Sequence, residues 1–190
     1  VMQTRAVEFA QKHNIPFEVR STFTRKSGTT VKKNVKSLED TLVSGVAIDK
    51  NQVRISINEL PDRPGAAAAI FKVMGESGVV VDMIVQNVAR KGKANLTFTV
   101  PSEDAFRAEK ALREHFAVGA GGKLGRSTNI AKVSVVGVGM RSHSGVASTF
   151  FDALANAGIN MLMISTSEIK ISVAVNPDQG DEATRVAHQA

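Results

Sequence analysis

The chain echoes itself at a distance of 80 residues. Val53, Ile55 and Ile57 fall on Val133, Val135 and Gly137. Gly65 falls on Gly145, Ala67 on Ala147, Phe71 on Phe151 and Gly78 on Gly158, and Met83-Ile84 falls on Met163-Ile164. A repeat of this kind decides architecture before any motif is read. Its period is too long for a solenoid unit and predicts two copies of one small domain within 190 residues.

In the first copy Gln52–Asn58 alternates apolar and polar residues and predicts a strand. Pro64–Ser77 predicts a helix with Ala67, Ile70, Phe71 and Met74 on one face, stopped by Gly78. Val79–Ala89 and Ala94–Val100 predict a hairpin around Arg90–Lys93, followed by a helix over Glu103–Phe116 whose apolar positions include Phe106, Leu112 and Phe116. Gly122–Ser127 is placed to add a short fourth strand. The second copy predicts strand Lys132–Val138, helix Ser144–Ala157, strands Ile159–Ser165 and Ile169–Val175, and a helix from Asp178. The order β-α-β-β-α with a closing strand defines an α+β, ferredoxin-like domain, βαββαβ, with its helices on one face of an antiparallel sheet.

The second copy lacks a fourth strand, while the apolar stretch Thr41–Asp49 lacks a partner. Joining the two relieves a bare edge and inserts the first domain within the second. The domains are then 52–129 for the first copy, and 41–51 plus 130–190 for the second. Ahead of them, Met2–His13 predicts a helix ended by Asn14 and Pro16, and Phe17–Val19 a short strand. Residues 1–20 are too few to bury a core alone and read as the tail of a larger unit; a start on Val1 fits a fragment. Residues 21–40, polar and basic over Ser21–Ser37, read as a linker.

Composition removes several function classes. There is no cysteine, so no thiolate site, and the four histidines (His13, His115, His143, His188) show no i, i+4 pair, so no metal site is expected. No apolar run nears the ~18 residues of a membrane span, and no signal peptide opens the chain, so no membrane partner and a cytoplasmic location are expected. The net charge of +6 invites a nucleic-acid reading. The charge, however, crowds into Arg20, Arg25, Lys26, Lys32, Lys33 and Lys36; tryptophan and tyrosine are absent, and most phenylalanines sit at core spacing. Stacking platforms are therefore missing, and a solvated basic linker is the expected reading.

Gly137-Val138-Gly139 lacks the third glycine of a dinucleotide fingerprint, and Ser142-His143-Ser144 lacks an acid to orient its imidazole. Both read as loops. More informative is Asp62-Arg63-Pro64-Gly65 at the start of a helix. Asp62 is a candidate cap, Pro64 suits a first turn, and Gly65 leaves room for a group to approach the backbone. A helix start with exposed N–H groups suits a carboxylate. Gln86-Asn87, matched by Thr166-Ser167, ends an otherwise apolar strand and offers side chains to a ligand held there. Asp82 is a candidate partner for an ammonium. Carboxylate and ammonium together describe a free amino acid.

The stretches VSGVAIDKNQVRISINELPDRPGAAAAIF, VDMIVQN, GVGMRSHSGVASTFFDAL and ISTSEIKISVAV resemble the tandem ACT domains of aspartate kinase, from about Thr41 to the end. MQTRAVEFAQKHNIPFEVRS resembles the final helix and strand of that family's kinase domain; its Lys-x-Gly-Gly-Ser phosphate motif is not in this sequence. The resemblance implies a non-catalytic regulatory region, either a fragment of the catalytic chain or a separate regulatory subunit. It implies no cofactor here, ATP and magnesium belonging to the kinase domain. It also implies feedback inhibition by threonine, lysine or both, at interfaces formed when ACT units pair as a homodimer or with the catalytic subunit. Carried over by position, the first-repeat site uses Asp62, Pro64, Gly65, Ala66, Val81, Asp82, Gln86 and Asn87, with threonine as the expected effector. The second repeat offers Ser142, Gly145, Ile164, Ser165, Thr166, Ser167 and Glu168. Leu162 stands where the first repeat has Asp82, so the second site is expected to play a supporting role. Two other readings stay open at this point: a basic ferredoxin-like module for nucleic acid, and a dimerisation module without effectors.

Overall fold

In a computed structural model, the structure describes residues 3–32, 43–88, 92–117, 121–125, 127–137 and 145–190. They fall in two compact units, one within residues 1–41 and the other within 42–190.

The first unit holds helix α1 (Thr4–Lys12) and strands β1 (Phe17–Val19) and β2 (Thr29–Val31). Asn14, at φ 53, stops α1 in a Schellman arrangement: its N–H donates to Gln11 O, and that of Ile15 to Ala10 O. The stretch read as a linker contains a strand. β2 pairs antiparallel with β1, Phe17 facing Val31 and Val19 facing Thr29. The Glu18 carboxylate closes the hairpin by accepting from Gly28 N–H at 2.6 Å and Ser27 Oγ at 3.2 Å, with Arg20 as a third partner. A side-chain staple of this kind carries no hydropathy signal, so polarity alone reads as loop.

The second unit is ordered β3 (Gly45–Pro61), α2 (Ala66–Glu76), β4 (Ile84–Val88), β5 (Lys93–Pro101), α3 (Ala105–Ala117), β6 (Lys123–Leu124), β7 (Thr128–Val136), α4 (Val146–Asn156), β8 (Met163–Thr166), β9 (Lys170–Val175) and α5 (Gly180–Gln189). Of the two strands expected over Thr41–Asp49 and Gln52–Asn58, the parts from Gly45 onward are one continuous strand, β3, with a register shift between Asp49 and Gln52, while Thr41 and Leu42 lie outside the described residues. Its first half pairs with β7, Val46 opposite Val135 and Ile48 opposite Val133, so this stretch does join the second repeat's sheet. Its second half pairs with β5, Val53 opposite Val100 and Ile55 opposite Phe98. β7 is shared in the same way: Thr128–Ile130 pairs beside the first repeat and Ala131–Val136 runs against β9. The fourth strand of the first repeat is therefore β6 plus the start of β7. The order across the sheet is β4-β5-β3-β7-β9-β8, with β6 also on β3.

Alternation sets the layers. Val53, Ile55, Ile57, Leu96, Phe98 and Val100 share one face and pack with Ile70 and Met74 of α2 and Leu112 of α3. Val133, Val135, Ile171, Val173 and Val175 lie on the same face of the sheet and pack with Phe150 and Leu154 of α4 and Ala183 of α5. Each fully buried aliphatic side chain contributes about 1.5–3 kcal/mol. Phe106, expected in this core, is 82% exposed. On the opposite face Met83, Ile130, Met163 and Ala174 form a third buried cluster, flanked by Val85 and Leu162, where β4 and β8 approach one another. Gly78 and Gly158 end α2 and α4 in matching Schellman turns, with Val79 N–H on Met74 O and Ile159 N–H on Leu154 O.

Candidate functional site

After Pro61 the chain leaves the sheet, and the Asp62 N–H donates to Gly92 O at 3.0 Å, tying the loop to the β4–β5 hairpin. The helix begins at Ala66, two residues later than expected, and its N-cap is Gly65 at φ 90. No side chain caps it, so Asp62 does not take the capping role. Gly65 takes a left-handed backbone that a side chain would strain, and no atom lies within 4 Å of an added Cβ, so the space beside its backbone is open to an approaching group. Gly145, at φ 107, opens α4 in the same way. An uncapped helix start carries positive partial charge, and Arg63 adds a full one. A cavity of about 320 Å³ lies here, lined by Leu60, Arg63, Pro64, Gly65, Ala66 and His115. This arrangement can hold a carboxylate. The residues missed from sequence are Arg63, which stood inside the loop without a role, and His115, delivered by the last turn of α3. Only the packing of α3 beside α2 reveals the latter.

Gln86 and Asn87 lie at the exposed end of edge strand β4, opposite Leu96 and Asn95. Because sides alternate, Gln86 points to the helix-bearing face and Asn87 to the other. Asn95 is two residues along β5 from Lys93, which faces Pro61. The register therefore brings Gln86-Asn87 to the end of the sheet that carries the Asp62–Ala66 loop.

It does not bring Asp82 there. The Asp82 N–H donates to Thr99 O at 3.0 Å, and Thr99 faces Arg54. Thr99 lies six residues along β5 from Lys93, or about 20 Å at strand rise. An α-amino acid carries its ammonium and carboxylate on one carbon, so within one repeat Asp82 and the helix-start loop cannot share it. Asp82 instead accepts from the ammonium of Lys132, a β7 residue whose side chain is 14% exposed, and Asp49 Oδ2 stands 4.0 Å from the same nitrogen. Neighbouring Val81 packs against the first repeat's core. The sequence places Asp82 and Lys132 50 residues apart in different copies, and no local pattern signals their meeting.

In the second repeat Gly145 lines a cavity of about 520 Å³ with Gly45, Val46, Thr149, Phe150 and His188. Ile164, Ser165 and Thr166 run along β8, with Ile164 40% exposed. Ser167 and Glu168 form the turn to β9, where the Ser167 N–H donates to Lys170 O at 2.7 Å. Ser142 lies outside the described residues. The Leu162 N–H donates to Ala174 O at 2.8 Å, as Asp82 does to Thr99, so the two positions are structurally equivalent. Leu162 packs among Met83 and Met163.

Among the described residues no group of three or more His, Cys, Asp or Glu side chains is arranged to hold a metal ion, and no helix is long and apolar enough to cross a membrane.

Comparison with known proteins finds the ACT domain twice, over residues 53–120 and 133–190. The whole chain is 46% identical to an aspartokinase of Pseudomonas aeruginosa, of which it covers 47%, and 99% of it is 44% identical to one of Helicobacter pylori, again covering 47%. The chain thus spans about half the length of these curated relatives. Among solved structures, the regulatory subunit of aspartate kinase from Thermus thermophilus is 39% identical with a TM-score of 0.74, matching 79% of this chain and 99% of that one. A structure of aspartokinase alpha and beta subunits is 42% identical with a TM-score of 0.71, matching 77% of this chain and 97% of that one.

Proposed function

Given that the chain belongs to the aspartate kinase family, as a regulatory region built of two ACT domains, we propose that it senses a free amino acid, threonine or lysine, and restrains the kinase in response. The carrying observation is the first-repeat helix start: uncapped N–H groups, a left-handed Gly65 and Arg63 around one cavity, with Gln86-Asn87 at the same end of the sheet. The effector carboxylate is held by the N–H groups beyond Gly65 and Ala66, with Pro64 shaping the turn and Arg63 adding charge. Its ammonium is accepted by the Asp62 carboxylate and the side-chain oxygens of Gln86 or Asn87, because Asp82 is committed to Lys132. Val81 and Asp82 stand outside this site, Val81 packing against the first repeat's core and Asp82 joining the two repeats through Lys132. The second-repeat residues Ser142, Gly145, Ile164, Ser165, Thr166, Ser167 and Glu168 face or complete that site when ACT units pair, in a homodimer or with the catalytic subunit.

Phosphorylation of the aspartate side-chain carboxylate, with its ATP and magnesium, is assigned to the part of the relatives' length that this chain does not span. An effector shifts that activity only by binding one arrangement of the domains better than another, and a coupling of ~1–3 kcal/mol is enough. Calorimetry with threonine and with lysine on the full chain tests this reading. Saturable heat with either supports it; no heat and no melting shift at millimolar concentration overturns it.

A further inference from the structure

We propose that Glu59 positions the effector site, holding the helix-start loop and the Gln86-Asn87 strand end in register through a charged β-bulge. This rests on the effector reading above and names a residue that sets its geometry.

Among the described residues, two that are not glycine have positive φ: Asn14 and Glu59. Asparagine is a common left-handed residue at a helix end; glutamate is not. Glu59, at φ 56, sits in the register shift between Ile57 and Leu60 of β3. A left-handed backbone costs an ordinary L-residue ~1–2 kcal/mol. The 80-residue shift puts Gly139 at this position in the second repeat, the residue type that avoids the cost. The first repeat keeps a glutamate, and the structure supplies a reason. One carboxylate oxygen lies 2.6 Å from Lys93 Nζ and the other 2.7 Å from Lys123 Nζ, so one side chain ties β5 and β6 to the bulge. Exposed ion pairs like these add little stability. What they fix is direction.

Two connections run from the bulge to the site. The Glu59 N–H donates to Asn95 Oδ1 at 3.3 Å, and Asn95 stands opposite Asn87. Lys93 faces Pro61, and the adjacent Gly92 O accepts the Asp62 N–H. Both halves of the candidate site therefore hang from the hairpin that Glu59 clamps. Without the carboxylate, the two lysines lose their shared counter-charge, and the hairpin keeps only its backbone ties to the bulge: the strand ladder and the Glu59 N–H on Asn95 Oδ1.

The test uses the full chain with Glu59→Gln, which removes the charge, and Glu59→Gly, which removes the charge and the backbone strain. Threonine and lysine affinity, melting temperature and amide exchange at Asp62 and Asn95 are measured. Both variants are expected to bind the wild-type effector about tenfold more weakly and to exchange the Asp62 amide about tenfold faster. Glu59→Gly is nonetheless expected to melt at or above the wild-type temperature. A merely structural glutamate would move affinity and stability together. Unchanged affinity and unchanged Asp62 exchange in both variants would overturn the proposal. If the wild type binds neither amino acid, the effector reading fails, and Asp62 exchange alone decides whether Glu59 positions the loop: faster exchange supports it, wild-type exchange refutes it.

Discussion

Lys132, on the first strand of the second repeat, donates from Nζ to the carboxylate of Asp82 in the first repeat, and Asp49 stands 4.0 Å from the same nitrogen. The lysine side chain is 14% exposed and that of Asp82 32%, so the pair is shielded on one side and reached by water on the other. It lies on the sheet face away from the helices, beside the buried cluster of Met83, Ile130, Met163 and Ala174. The repeats are joined there by charge as well as by packing.

Removing either partner strands a charge in a poorly solvated place. Lys132→Met and Asp82→Asn are each expected to destabilise the second unit by ~1–3 kcal/mol. A double-mutant cycle in denaturant checks the coupling: the double variant should cost less than the two single changes added together. Threonine affinity in Asp82→Asn is expected to stay within about threefold of wild type, a difference well below 1.4 kcal/mol. A loss of binding larger than the loss of stability explains would return the ligand's ammonium to Asp82.

Gly65 and Gly145 make a matched pair. Each caps its helix with positive φ and open space around an added Cβ, so alanine costs backbone strain without a clash. Gly65→Ala and Gly145→Ala are each expected to lower stability by about 1–2 kcal/mol in chemical denaturation. Calorimetry should separate them, with Gly65→Ala weakening effector binding more than Gly145→Ala.

Acid should dissolve the clamp at the bulge. Hydrogen bonds and charge from Lys123, then Lys93, hold the Glu59 carboxyl at about 2, below the ordinary 4.5. A lowered folded-state value adds stability that is fully present above the unfolded value and is lost as pH falls toward the folded one. The gap in stability between wild type and Glu59→Gln, small because both ion pairs are exposed, should therefore be constant above about pH 4.5 and close between pH 4.5 and 2. Glu18, held low by Arg20, and Glu182, held low by Arg185, share the direction but not the mutation. Denaturant midpoints across that range check it; a gap that does not change with pH contradicts it.

Much of the fold was legible because it is written in local pattern. Alternation in Val53, Ile55 and Ile57, the spacing of Ile70 and Met74, and the stops at Gly78 and Gly158 each act over a few residues. The joining of 45–49 to the second repeat was legible for another reason: an unpaired edge in one place and a spare strand in another have few solutions. The site was half legible. Pro64, Gly65, Gln86 and Asn87 announce themselves by type and position. The distance between Asp82 and the loop depends on register along β4 and β5, which hydropathy does not encode. Lys132, His115 and Glu59 acquire their roles only from partners far along the chain, and polar residues partnered at long range look like surface in sequence.

The most direct test follows backbone amide resonances of the full chain during titration with threonine, and in parallel with lysine. The largest shifts are expected to cluster at Asp62–Ala69 and Gln86-Asn87, with those around Asp82 and Lys132 small. Shifts centred on Asp82 and Lys132, or none at saturating effector, would contradict it.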